Sequence, residues 1–255
     1  MQPDDEILAQ AFQNAVCDWR CWYCFVPFNL LGANPAHSDW VNPEDLLDWY
    51  EEDGPRAQMI DLTGGQPDLT PEWTLWIIEE LERRALDEST FVWVDDNLSS
   101  DYFWRYLSRS QIEQIAAYPH YARVGCFKGF DSQSFSFNTS APAEFFDRQF
   151  EIFTRHLTEG IECFAYVTLT TPDEDSIARE MPKFLDRLQR IAENLPLRTV
   201  PLEILEWGPV EERLNGERSS ALRLQQRAIE AWRSEIERRF PAEQRALPIH
   251  MVPLR

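Results

Sequence analysis

Short apolar runs rich in β-formers alternate along the chain with amphipathic stretches of helical period. That alternation marks repeated βα units built on a parallel sheet. Residues 11–16 read as a first strand. Asn42 and Pro43 then open a helix with the apolar stripe Leu46, Leu47 and Tyr50. Residues 57–62 read as a second strand ending at Thr63-Gly64-Gly65, and Thr70-Pro71-Glu72 caps a helix running to residue 86. A third strand, 90–94, ends at Asp95-Asp96-Asn97 and leads into a helical region carrying Tyr102, Phe103, Tyr106, Leu107, Ile112 and Ile115. A fourth, 123–127, ends at Lys128-Gly129-Phe130-Asp131, with a helix over 142–157 capped by Ser140. A fifth, 162–169, ends at Thr170-Thr171-Pro172, and a helix over 173–193 carries Pro182 as a point of kinking. Residues 198–205 read as the sixth strand. Beyond Gly216, Ala221, Leu222, Leu224, Ile229, Trp232 and Ile236 form one helical stripe, and 247–255 reads as an extended tail.

Six βα units are complete by Trp207. A full eight-stranded barrel needs about 250 residues for the barrel alone. The expected class is therefore α/β: an incomplete (βα)6 TIM-type barrel with parallel strands, open on one side, with a C-terminal helical extension. The boundary is set at 210, with a barrel over 1–210 and a helix and tail over 211–255 packed on it. Ligands in such folds sit at the C-terminal ends of the strands. The polar groups falling there are Gly64, Gly65, Asp95, Asn97, Lys128, Asp131, Thr168 and Thr170, together with a cysteine loop after the first strand.

Composition narrows the partners. The chain has 255 residues, 44% of them apolar, enough for one sizeable core. The formal net charge is −20, a field that repels phosphate backbones and argues against nucleic acid as the main partner. Arginines between Arg218 and Arg239 are interleaved with glutamates and read as a solvated helical face. No apolar run reaches the roughly 18 residues of a membrane span. The acidic start, Met1 to Glu6, lacks the basic segment of a signal peptide. Clustered thiols suit a reducing, cytoplasmic setting.

Those thiols carry the chemistry. Cys17, Cys21 and Cys24 stand at C-x3-C-x2-C spacing within eight residues. Iron–sulfur clusters are held by cysteine thiolates, and three of them can hold three corners of a [4Fe–4S] cubane. The fourth iron would then be open to a small molecule. A zinc site is the competing reading, and structural zinc takes four ligands. Of the four histidines, His37 is the nearest candidate in sequence. A disulfide framework fits poorly with five cysteines, three of them crowded together. Cys126 and Cys163 read as buried core thiols.

The cysteine spacing, with Tyr23 before the last thiol, resembles the signature of the radical S-adenosylmethionine superfamily. Thr63-Gly64-Gly65-Gln66-Pro67 is similar to that family's glycine-rich motif after the second strand, with Gln66 in place of the usual glutamate. The resemblance spans about Val16 to Leu205 and implies the same partial barrel. It implies a [4Fe–4S] cluster on Cys17, Cys21 and Cys24, with S-adenosylmethionine chelating the fourth iron. It assigns Gly64, Gly65 and Gln66 to the methionine end of that cofactor. Asp95 and Asn97 become candidates for its ribose or carboxylate, and Lys128 and Thr168 further cofactor-binding candidates. It implies reduction by a low-potential flavodoxin- or ferredoxin-type donor. It also implies reductive cleavage to a 5′-deoxyadenosyl radical that abstracts hydrogen from a substrate. Trp19, Trp22, Tyr23 and Phe25 would keep the cluster dry.

Three readings stay open. The chain is an enzyme acting on a small molecule or a protein, including an activating enzyme that installs a radical on a partner. Or it is an iron–sulfur scaffold without catalysis, which Gln66 favours. Or it is a zinc module. The lack of a cysteine-rich C-terminal extension argues against the large peptide-modifying members with auxiliary clusters.

Overall fold

The computed structural model describes residues 7–52 and 57–254. The acidic start read from Met1 to Glu6, and the last residue of the tail, Arg255, lie outside them.

In chain order the elements are β1 (Ala9–Gln13), α1 (Pro43–Glu52), β2 (Met59–Thr63), α2 (Glu72–Arg83), β3 (Phe91–Asp96), α3 (Tyr102–Tyr106), α4 (Arg109–Ala117), β4 (Tyr121–Phe127), α5 (Ser132–Thr139), α6 (Phe145–Thr158), β5 (Cys163–Thr168), α7 (Glu174–Ile191), β6 (Thr199–Leu202), α8 (Pro209–Arg213), α9 (Gly216–Arg239) and α10 (Ala242–Arg245). The strands form one six-stranded parallel sheet in the order β1-β2-β3-β4-β5-β6, and the barrel is not closed. The expected fold class is therefore the observed one. None of the described helices is long and apolar enough to cross a membrane.

The chain groups into two compact units. The first draws on Met1–Asp18, Val26–Val124 and Arg155–Cys163. Within it β1 pairs with β2, setting Ala11 opposite Asp61, and β2 pairs with β3, setting Asp61 opposite Trp93. Side chains alternate across a strand. Ile60, Leu62, Val92 and Val94 are wholly buried on one face, while Asp61, Thr63, Trp93 and Asp95 take the other.

The second unit draws on Trp19–Phe25, Gly125–Thr154 and Phe164–Arg255. Its core is aromatic. Phe127 lies 5.0 Å from Phe150, 5.6 Å from Phe153 and 5.8 Å from Phe184, ring centre to ring centre, and Phe184 lies 6.1 Å from Trp232 of α9. α7 runs unbroken through Pro182, and Arg239 of α9 donates to the Pro182 carbonyl at 2.9 Å and to Asp186 at 2.5 Å. The tail is not simply extended: Ile249–Met251 form a 3-10 turn, and Arg198 holds the carbonyls of Val252 (2.6 Å) and His250 (3.2 Å).

Several expected boundaries move for local reasons. β1 ends at Gln13 rather than residue 16, because the Asn14 side chain takes the Val16 amide at 2.9 Å and turns the chain out of the strand. Thr70 does not cap α2: residues Pro67–Leu69 form a 3-10 turn, and α2 starts behind Pro71 with no side-chain cap. The helical region after β3 is two helices, because Ser108 caps α4 with Gln111 in a reciprocal box. Ser140 does not start α6. It ends α5 in the left-handed conformation, φ 60°. α5 itself was not expected: the run Ser132–Thr139 has no helical stripe, and its only strong signal is Asp131 three residues before Ser134.

Candidate functional site

In the first unit the glycine doublet turns tightly against the end of β1. Gly64 has φ +88°, and a Cβ there would lie 2.6 Å from Cβ of Gln13. A Cβ on Gly65 would lie 2.0 Å from the Val16 carbonyl oxygen and 2.6 Å from that of Asn14. The bare sides of both glycines therefore face the chain that enters the cysteine loop. Any side chain would push that chain away.

Gln66 comes next and is fully buried. Its backbone amide donates to the Val16 carbonyl at 2.8 Å. Its side-chain Nε2 donates to Asp96 Oδ1 at 2.8 Å, and its Oε1 accepts the Asn97 amide at 2.8 Å. Both polar ends are thus engaged inside the protein. Asn97, also buried, donates its side-chain Nδ2 to the Gly65 carbonyl at 3.1 Å and to Cys17 Sγ at 3.5 Å.

Asp96 anchors this group. Its Oδ2 lies 3.1 Å from Arg123 Nη1 and 3.1 Å from His156 Nε2, and Arg123 Nη1 also lies 2.7 Å from Asp68 Oδ2. Asp68, Asp96 and His156 bring three ligand atoms within 4.8 Å of one another, the shape of a cation site. The cation is supplied by the protein: Arg123 Nη1 lies within 3.4 Å of all three groups. Burial opposes ionisation of Asp96, but the His156 hydrogen bond, the Arg123 charge and the Gln66 amide overcome it and hold the carboxyl well below the usual range. Burial raises the Asp68 carboxyl to about 7 against the pull of Arg123, and lowers His156 to about 4, keeping the imidazole neutral.

Asp95 faces the other way. It accepts from the Thr63 hydroxyl at 2.7 Å and the Trp93 indole at 3.0 Å. Burial, and then the neighbouring Asp95 charge, raise Asp61 to about 7. Between about pH 4 and 7 the folded state therefore binds a proton at Asp61 that the unfolded chain does not. The contribution of Asp61 to stability falls as pH rises through that window. Asp61→Asn is expected to shift the urea midpoint up relative to the parent at pH 8 and to leave the two matched at pH 4. Equal midpoint differences at both pH values would contradict this.

In the second unit Asn138 of α5 organises the segment carrying Cys21 and Cys24. Its Nδ2 donates to the carbonyls of Lys128 (2.8 Å) and Thr170 (3.1 Å), and its Oδ1 accepts from Trp22 Nε1 (3.0 Å) and the Thr170 hydroxyl (2.7 Å). All four hydrogen-bonding positions of the amide are filled. The Trp22 and Arg20 amides donate to the backbone carbonyls of Asn138 and Thr139 at 3.1 and 3.2 Å. Thr168 donates to the Tyr23 hydroxyl at 3.0 Å. Burial, then Cys21, push that phenol well above its ordinary value, so it stays protonated. Arg213 of α8 donates to the Cys24 carbonyl.

Thr168 and Thr170 therefore hold the cysteine segment. Asp131, one of the polar groups at the end of β4, caps α5 by accepting the Ser134 amide at 2.6 Å. Trp19 and Trp22 are buried as expected of a dry surround, but Phe25 is 51% exposed. His37 is exposed. Sequence reading missed Asn138, Arg123, His156 and Arg213. Asn138 sits in the helix that composition hides, and Arg123 and His156 are charged types whose burial no periodicity reports.

The donor set fits an iron–sulfur cluster. All five cysteines are free thiols, Cys17 receives an amide hydrogen bond at sulfur, and the segment around Cys21 is lined by buried indole.

No protein-family model matches the chain, and no curated protein matches it. Solved structures do. SuiB of Streptococcus suis bound to S-adenosylmethionine matches with TM-score 0.57 at 16% identity, over 91% of this chain and 48% of that one. His-tagged anSMEcpe with bound S-adenosylmethionine matches with TM-score 0.54 at 13% identity, over 79% of this chain and 51% of that one. Native anSMEcpe with bound S-adenosylmethionine and the Kp18Cys peptide matches with TM-score 0.53 at 13% identity, over 78% and 52%. The chain spans about half the length of these structures. This chain shares its fold with SuiB and anSMEcpe, both solved with S-adenosylmethionine bound.

Proposed function

We propose that the chain is a radical S-adenosylmethionine enzyme, with Cys17, Cys21 and Cys24 as the three thiolate ligands of a [4Fe–4S] cluster. The observation that carries this reading is the pairing of that cysteine spacing with the partial-barrel fold and with the glycine turn after β2. When bound, the cluster and S-adenosylmethionine supply reductive cleavage of the sulfonium to a 5′-deoxyadenosyl radical that takes hydrogen from the substrate.

The protein's part is placement. Gly64 and Gly65 let the strand-two turn close on the start of the cysteine loop. Gln66 and Asn97 fix that turn, and their roles are structural support for the cofactor site. Asp95, beside Thr63, keeps a carboxylate on the open face of the sheet, suited to hydroxyl donors of a ribose. Asn138, Thr168 and Arg213 hold the segment of the second and third thiolates. The electron comes from a low-potential flavodoxin- or ferredoxin-type donor. A peptide or protein substrate is favoured over a free metabolite, because the fold is shared with anSMEcpe, solved with a bound peptide.

Anaerobic reconstitution with iron and sulfide, then reduction in the presence of S-adenosylmethionine, should give visible charge-transfer absorption and 5′-deoxyadenosine. The triple variant Cys17→Ala, Cys21→Ala, Cys24→Ala should lose both. Persistence of either in the variant would contradict the assignment. A coloured parent without product would support a scaffold that has lost catalysis, and a colourless zinc protein would support the zinc module.

A further inference from the structure

A continuous run of hydrogen bonds leads from Cys17 into the most buried charges of the first unit. Asn97 Nδ2 lies 3.5 Å from Cys17 Sγ, within reach for a sulfur acceptor. The same amide nitrogen is tied to the Gly65 carbonyl at 3.1 Å, so its position is fixed from two sides. The Asn97 backbone amide is held by Gln66 Oε1 at 2.8 Å, and Gln66 Nε2 by Asp96 Oδ1 at 2.8 Å. Asp96 Oδ1 also accepts the Leu98 amide at 2.7 Å, closing the turn, while its Oδ2 is clamped by Arg123 and His156. Gln66, Asp96, Arg123 and His156 are each no more than 1% exposed. Nothing in this run is free to swing, and its last donor is a neutral N–H aimed at sulfur.

We propose that Asn97 is a positioning residue that sets the reduction potential of the cluster through Cys17, and that Gln66 and Asp96 hold it in place. This rests on the reading of Cys17 as a cluster thiolate. Hydrogen bonds to cluster sulfurs are among the features that set iron–sulfur potentials. Adding an electron increases the negative charge on the sulfurs. An N–H dipole pointing at one of them stabilises the reduced state more than the oxidised one and raises the potential. The Gln66 side chain acts on Cys17 through Asn97, so its substitution acts in the same direction and less strongly.

The test is an EPR-monitored redox titration of the reconstituted full chain, without substrate. Asn97→Asp keeps the shape and replaces the donor by an anion, and Asn97→Ala removes the group. Both are expected to move the midpoint to more negative values, Asn97→Asp furthest. About a tenfold change in the one-electron equilibrium corresponds to a shift of roughly 59 mV. Gln66→Ala is expected to give a smaller shift of the same sign. In the parent protein, pulsed EPR with 15N in the asparagine side-chain amides should show a weak coupling to the reduced cluster that Asn97→Asp lacks. Unchanged midpoints in both Asn97 variants with the cluster intact would overturn the proposal, as would failure of both to retain a cluster together with no amide coupling in the parent. If the parent itself assembles no cluster, the functional reading fails instead, a result told apart at the first absorption spectrum.

Discussion

Arg123→Leu is expected to lower the stability of the fold by about 3–5 kcal/mol at neutral pH, the cost of removing one partner from a buried ion pair. The guanidinium is 1% exposed and serves three groups: Asp68 at 2.7 Å, Asp96 at 3.1 Å and, through Nε, the Tyr121 hydroxyl at 3.1 Å. It also lies over the ring of Phe103, 4.8 Å from its centre. Leucine fills part of the volume but leaves a buried carboxylate without its counter-charge. The deficit should depend on pH. In the parent, His156, Arg123 and Gln66 hold Asp96 below the usual carboxylate range against burial, so its contribution is present above the unfolded value near 4 and is lost as pH falls. Without Arg123 the carboxyl protonates at higher pH, and the gap between variant and parent narrows from pH 7.5 to pH 5. Urea unfolding at both pH values measures this. A deficit under about 1 kcal/mol at pH 7.5 would show that the cluster does not depend on its cation. Arg123→Lys, which keeps a charge but not the planar fork, should fall between the two.

The sequence spoke most clearly where chemistry is local. The six strands could be placed because β-formers recur between helical stripes, and the cysteine loop stood out as a candidate site because three cysteines in eight residues have few uses. Strand ends drifted by up to about three residues because side chains, not propensity, decide them: Asn14 ends β1 by capping a turn onto Val16. α5 was invisible because Ser-Gln-Ser-Phe-Ser-Phe-Asn-Thr offers neither strong helix formers nor a stripe, and its helix is held by Asp131 at one end and by tertiary bonds from Asn138. The motif after β2 was legible as a motif, but not the neighbours packed against it. The side of Gly64 that a Cβ would take is filled by Gln13, and that of Gly65 by the backbone of Asn14 and Val16, long-range neighbours that the motif does not reveal. Long-range partners of buried charges leave no mark on a single chain. Arg123 and His156 are 33 positions apart, and each reads in sequence as an ordinary polar residue.

Gln66→Glu is expected to be nearly as costly as the loss of Arg123, although it restores the glutamate usual in the motif that this segment resembles. The reason is the neighbour. Gln66 Nε2 donates to Asp96 Oδ1 at 2.8 Å, and nothing about the position is exposed. A carboxylate there would meet a second carboxylate across a hydrogen-bond distance without water between them, and two such groups cannot both ionise. The new glutamate must keep a proton to donate. Holding a carboxyl of ordinary value about 4.3 protonated at pH 7 costs roughly 3–4 kcal/mol, and about 1 kcal/mol at pH 5, at about 1.4 kcal/mol per pH unit. Its folded pKa is raised, so stability is lost as pH rises from about 4 through that value. Urea midpoints should therefore fall below the parent's at pH 7 and nearly rejoin them at pH 5, opposite in trend to a site where a carboxylate had been welcome. Gln66→Met, similar in size and without charge, should lose the Asp96 and Asn97 bonds with no such pH trend. The amide at this position is accordingly set by Asp96, which Arg123 and His156 keep ionised. A Gln66→Glu protein as stable as the parent at pH 7 would mean that Asp96 gives up its charge instead, and that the clamp behind it is weaker than its geometry implies.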